Sequence, residues 1–94
     1  SLEVERALLD HPAVGEAAVI ARRHPKWGES PHAVVALRPG AAATESELIG
    51  FCRERLAHYK CPRSVELVDA LPRTATGKVL KQVLRQKNAA PAGS

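Results

Sequence analysis

The chain has 94 residues, a length that supports one hydrophobic core hiding somewhat over ~60% of the surface its unfolded form exposes. It is 45% apolar with one Trp, one Tyr and one Phe, so the interior must be built from Ala, Val, Leu and Ile; the net charge of +4 permits contact with phosphates, a membrane surface or nucleic acid and demonstrates none of them. Two cysteines are too few for a disulfide scaffold, and the longest apolar segments fall far short of the ~20 residues a membrane span needs.

The first expected element is a short helix over Leu2–Leu9, with Val4, Ala7 and Leu8 turned inward. His11-Pro12 ends it, because the residue before proline is biased out of the helical region. Residues 15–21 read as a buried strand, residues 22–31 as a polar loop punctuated by Pro25, Gly28 and Pro31, and residues 32–37 as a second strand closed by the turn signal Pro39-Gly40. Thr44-Glu45-Ser46-Glu47 is a capping box, with Thr44 as N-cap and Glu47 reaching back to its backbone N–H. The helix it opens runs to about Leu56 and faces inward with Leu48, Ile49, Cys52 and Leu56. Residues 64–68 form a third strand, 71–76 a loop, and 77–86 a final helix; residues 88–94 are small and polar and are expected to be disordered. The order predicts an α+β fold, a small three-stranded sheet packed against about three helices in one compact domain.

Cys52 lies on the apolar side of its helix and reads as a small buried hydrophobe, whereas Cys61, before Pro62, is the expected accessible thiol. With no secretory signal peptide ahead of them, a reducing cytoplasm is the expected setting. His11, His24, His32 and His58 show no i,i+4 pairing and no C-x-x-C context, so no metal site is expected. The basic residues are spread along the chain rather than gathered in one run, and no RRM, KH or zinc-finger signature accompanies them.

The most informative stretch is Leu71-Pro72-Arg73-Thr74-Ala75-Thr76-Gly77-Lys78-Val79-Leu80. Val79, Leu80, Val83 and Leu84 recur at helical spacing, Thr76 fits an N-cap, and Lys78 then falls in the first turn, where free backbone N–H groups attract anions. A cation there opposes the helix dipole, and it makes best sense if a phosphate or carboxylate arrives to meet it. Gly77-Lys78 is not a P-loop: Pro72 stands where the first glycine belongs, and Val79 replaces the magnesium-binding hydroxyl. Taken alone, Lys78 equally fits a solvated basic face shared with Lys81 and Arg85.

Several separated pieces give the chain a family likeness: VERALLDHPAV from Val4, EAAVIA from Glu16, WGE at Trp27, TESEL at Thr44, YKCPR at Tyr59 and LPRTATGK ending in Lys78. In this order they resemble the C-terminal lid domain of the adenylate-forming ligases, which include acyl-CoA synthetases, luciferases and peptide-synthetase adenylation domains. Tyr59-Lys60 and Thr76-Gly77 are more similar to the acyl-CoA synthetases, because peptide-synthetase domains usually carry methionine after the tyrosine and asparagine before the final Gly-Lys. The resemblance implies a lid over residues 1–87. In the family, a hinge residue and a β-ribbon precede the segment that starts here near Val4, so the chain is expected to be an excised or separately encoded lid, inactive alone.

That resemblance also implies partners and roles. A large N-terminal adenylation domain would bind ATP, with magnesium held by the nucleotide, and coenzyme A would be the second cofactor. A carboxylate attacks the α-phosphorus of ATP to give acyl-adenylate and pyrophosphate, and a thiol then displaces AMP. Lys78 corresponds to the catalytic lysine of the first step, and Gly77 lets its loop approach the nucleotide. Trp27, Tyr59 and Lys60 are the candidates for coenzyme A in the second step, with the aromatics stacking on adenine and the lysine meeting phosphates. Some related synthetases carry arginine where this chain has Cys61. Glu29 and Arg73 rank as secondary: Glu29 ordering its own loop, Arg73 positioning the lysine loop or contacting the large domain. An exposed catalytic lysine is also an acetyltransferase target in some relatives, which would remove the Lys78 charge. The alternative is a stand-alone basic module binding phosphates or nucleic acid without catalysis, with salt-dependent affinity spread over many residues.

Overall fold

The computed structural model describes residues 2–24, 26 and 28–88. Trp27 and residues 89–94, on which the expected tail falls, lie outside them. The elements are α1 (Leu2–Leu9), β1 (Val14–His24), β2 (Gly28–Leu37), α2 (Glu45–Arg55), a short 3-10 turn (His58–Lys60), β3 (Ser64–Val68) and α3 (Lys81–Asn88). The sheet order is β1-β2-β3, with β1 antiparallel and β3 parallel to β2. A parallel pair needs a crossover, and α2 supplies it. The expected α+β architecture of three strands and three helices is the one observed.

Alternation along the strands sorts the core into two layers. Val19, Val35 and Val65 face Val4 and Leu8 of α1 and Leu48 and Cys52 of α2. On the opposite face, Ala18, Ile20 and Val34 pack with Leu71 and with Leu84 of α3. Because both faces are covered, residues 33–36 of the central strand are all buried, and small side chains suit that double packing. The inward face of α1 is the expected Val4, Ala7 and Leu8.

Four local expectations are corrected. Residues 22–31 are not a loop: β1 and β2 continue as a hairpin to the pair His24↔Gly28, and the backbone ladder holds this polar stretch. Pro31 is tolerated because its nitrogen and carbonyl face the β3 side before β3 begins, and the carbonyl accepts from Arg63 N–H at 3.0 Å. At α2 only half of the capping box forms. Thr44 Oγ1 accepts from Glu47 N–H at 3.2 Å, but the Glu47 carboxylate meets the Thr44 hydroxyl at 3.3 Å instead of its backbone N–H.

The third correction concerns α3, which starts at Lys81 rather than Gly77 and includes Asn88. Gly77 has φ +89, outside the helical range, so Thr76 caps nothing and Lys78 stands before the helix instead of in its first turn. The helix dipole therefore gives no account of Lys78. The fourth concerns Cys61, which is 5% exposed rather than accessible, because the 3-10 turn folds it against the α2 layer; its thiol donates to the Ala57 carbonyl at 3.5 Å.

Cys52 is buried as expected, and burial is the main cause that pushes its thiol from the ordinary 9.0 up to about 11. Since the thiolate is the reactive species, iodoacetamide at pH 8 should leave Cys52 almost unmodified in the folded protein and alkylate it readily in urea. Peptide mass mapping reads the result; fast labelling in the native state would contradict the packing described.

Candidate functional site

The segment from Leu71 to Leu80 is a small hairpin laid over the α3 side of the sheet. Leu80 N–H donates to the Pro72 carbonyl at 2.8 Å, Arg73 bridges to Val79, and Thr74 N–H donates to the Lys78 carbonyl at 2.8 Å. Gly77 N–H closes the turn onto the Thr74 carbonyl at 2.9 Å. A three-residue loop of Ala75, Thr76 and Gly77, ending in a left-handed glycine, is a standard way to reverse a ribbon. Thr74 adds a side-chain tie: its Oγ1 accepts from Lys78 N–H at 3.1 Å and bonds the Thr76 hydroxyl at 2.9 Å. The backbone around Lys78 is thus fixed from within.

Its side chain is not. Lys78 is exposed and, among the described residues, has no ion-pair partner. Two neighbouring cations are held. Arg73 pairs with Glu16 at 3.1 Å, and Lys81 pairs with Glu5 at 2.6 Å. The hairpin therefore presents a free ammonium on an ordered loop.

Tyr59 and Lys60 occupy the 3-10 turn ahead of β3, which the chain enters beside His32 of β2. Tyr59 is 81% exposed, and the Lys60 ammonium stands 5.9 Å from its ring centroid. The Lys60 Nζ donates to Glu3 Oε1 of α1 at 2.9 Å; this hydrogen bond first, and the Glu3 charge second, raise the lysine above its ordinary 10.5. The structure brings Tyr59 and Lys60 together on the 3-10 turn, and Gly77 and Lys78 together on the hairpin. The hairpin is anchored at Glu16 and packs on the α3 face, whereas the 3-10 turn leads into β3 beside His32, midway along β2, and packs on the α1–α2 face through Cys61. The two candidate surfaces therefore belong to opposite faces of one small sheet.

Several polar residues that position these surfaces went unrecognised in the sequence. Glu5 accepts from the edge amide of Val19 at 2.8 Å while holding Lys81, and so ties α1 to α3 across the edge of β1. Glu45 does the same for the other edge, accepting from Val65 N–H at 2.7 Å. His32, 2% exposed, bridges Ser64 Oγ at 2.6 Å and Glu66 Oε1 at 3.1 Å, linking β2 to β3. These partners are far apart in the chain, so no local pattern announces them. Glu29 is exposed and lines a shallow groove beside Lys81 and Arg85.

Comparison with known proteins gives a consistent picture. Residues 3–78 match the AMP-binding enzyme C-terminal domain. A probable CoA ligase of Humulus lupulus is 49% identical over 88 residues, covering 92% of this chain and 16% of that protein. ATP-bound MatB from Rhodopseudomonas palustris aligns with a TM-score of 0.86 at 38% identity, over 92% of this chain and 17% of its own. An anthranilate CoA ligase, AuaEII, in complex with anthranoyl-AMP aligns with a TM-score of 0.89 at 38% identity, over 99% of this chain and 19% of its own. The chain spans less than a fifth of the length of these relatives. With the hairpin, the sheet and the family match all running through the same residues, the chain belongs to the AMP-binding enzyme C-terminal domain family, the C-terminal domain of adenylate-forming ligases.

Proposed function

We propose that this domain works as the lid of an ATP-dependent acid–thiol ligase, with Lys78 serving acyl-adenylate formation and the Tyr59–Lys60 surface serving thioester formation. The single observation that carries the reading is the Lys78 ammonium, without an ion-pair partner among the described residues, on a loop tied through the N–H groups of Thr74, Gly77, Lys78 and Leu80. Carboxylate and phosphate repel as they approach, and a desolvated ammonium placed between them offsets that repulsion and orients the displacement. No bound partner needs to be broken to use it. Gly77, in its left-handed conformation, keeps a side chain off the tip that meets the nucleotide.

In the second step, a large domain carrying acyl-adenylate would meet the opposite face of the lid. Tyr59 offers an exposed ring for adenine, and Lys60 offers its charge to the phosphates of coenzyme A by exchanging Glu3 for them. Trp27 belongs to the same proposal through the resemblance alone. Magnesium would travel with ATP rather than with this domain. The two free cysteines, both buried, fit a reducing cytoplasm, and the exposed Lys78 is open to an acetyltransferase, whose product would be neutral. A stand-alone phosphate- or nucleic-acid-binding module is less well served, because Lys60, Arg73 and Lys81 are each committed to a carboxylate.

Reconstitution tests the proposal. This chain, joined to the large domain of a CoA-ligase relative lacking its own C-terminal domain, should restore ATP-dependent thioester formation from an acid that relative accepts. The large domain alone and this chain alone should form none; no gain on combining them would overturn the reading.

A further inference from the structure

The hairpin that carries Lys78 is anchored to the sheet through one arginine. Arg73 Nε and Nη2 both donate to Glu16 Oε1, at 3.2 and 3.1 Å, while its Nη1 donates to the Gly77 carbonyl at 2.5 Å. The other Glu16 oxygen accepts from Leu71 N–H at 3.4 Å. One carboxylate and one guanidinium therefore join β1, the incoming limb of the hairpin and the residue immediately before Lys78. Glu16 itself follows a register shift between Val14 and Glu16, a bulge of the kind that re-aims a side chain.

Stability is a weak reason for this arrangement. The side chains are 39% and 30% exposed, and ion pairs so open to water contribute little to folding. Orientation is a stronger one, because the planar guanidinium holds three acceptor contacts at fixed angles, which an ammonium cannot. The turn hydrogen bonds set the shape of the loop, and among the described residues the Arg73–Glu16 pair is the side-chain tie between its tip and the sheet.

We propose that Arg73 and Glu16 form a positioning clamp that fixes the direction in which the hairpin presents Lys78, and that acyl-adenylate formation depends on it while thioester formation does not. The inference rests on the reading of Lys78 given above. Neither clamp residue touches the reacting atoms in this scheme; they act through the loop. A displacement of about 1 Å at a reacting group can cost on the order of 100-fold in rate, so a loosened tip should be visible in the kinetics.

The test uses the reconstituted ligase with Arg73→Lys and, separately, Glu16→Gln, with Lys78→Ala alongside. Each clamp variant should lower kcat for adenylate formation by about 10- to 100-fold and leave KM for ATP within about twofold. Thioester formation from preformed acyl-adenylate should be unchanged. In the 94-residue chain, amide exchange at Gly77 should accelerate in the same variants, while Val34 and Val35, in the central strand, keep their rates. Equal losses in both half-reactions, or parallel acceleration at Val34, would mean a merely structural role and overturn the clamp. If Lys78→Ala blocks adenylation and both clamp variants run at full speed, the clamp alone fails. If Lys78→Ala itself leaves adenylation intact, the reading beneath it fails as well.

Discussion

Lys78→Ala is expected to slow acyl-adenylate formation in the reconstituted ligase by about 100-fold or more, about 3 kcal/mol of transition-state stabilisation, the usual cost of removing one well-placed donor. The effect should appear in kcat, because the ammonium is asked to act where negative charges converge and not to bind either substrate tightly at rest. Single-turnover pyrophosphate release measures it. Folding should be untouched, since the Lys78 side chain is exposed and has no ion-pair partner among the described residues, and its backbone ties to Thr74 survive the substitution. A variant with normal stability and a normal adenylation rate would remove Lys78 from the chemistry.

Leu8→Ala is expected to cost about 2–5 kcal/mol of folding free energy, because Leu8 is fully buried between α1 and the sheet and its loss leaves a cavity. For a domain of this length, whose whole stability is on the order of 10 kcal/mol, that is a large fraction. The consequence extends beyond the core. α1 carries Glu5, which caps the edge of β1 and holds Lys81, and Glu3, which holds Lys60, so a loosened α1 releases both attachments. Urea unfolding should show a lower midpoint with an unchanged slope. A shift below ~0.5 kcal/mol would contradict the packing assigned to α1.

The elements that could be read from the sequence are those whose signals are local. The Val4, Ala7 and Leu8 stripe and the Thr44 cap each lie within one element, and the elements they mark stand close to their expected boundaries. The β1–β2 hairpin tip was misread because Arg22, Arg23, Glu29 and Ser30 are polar, and only backbone pairing across the turn extends the strands through them. Helical spacing in Val79, Leu80, Val83 and Leu84 was real for Leu84 but misleading for Val79, which is drawn into a bridge with Arg73. Lys78 therefore stands on a hairpin rather than in the first turn of α3, where helical spacing alone would put it. The Arg73–Glu16 contact spans 57 positions in the chain, beyond the reach of any local pattern.

A lid that serves two reactions needs two separable surfaces, and the packing of the Lys78 hairpin and the Tyr59–Lys60 turn on opposite faces of the sheet is the feature on which that reading depends. The most direct measurement runs both half-reactions on Lys78→Ala and Tyr59→Ala in the same reconstituted ligase. Opposite patterns are expected: the lysine variant loses adenylation and keeps thioester formation from preformed acyl-adenylate, and the tyrosine variant keeps adenylation and loses thioester formation. Two variants that impair the same step, or both steps equally, would contradict a division of labour between the two faces of the domain.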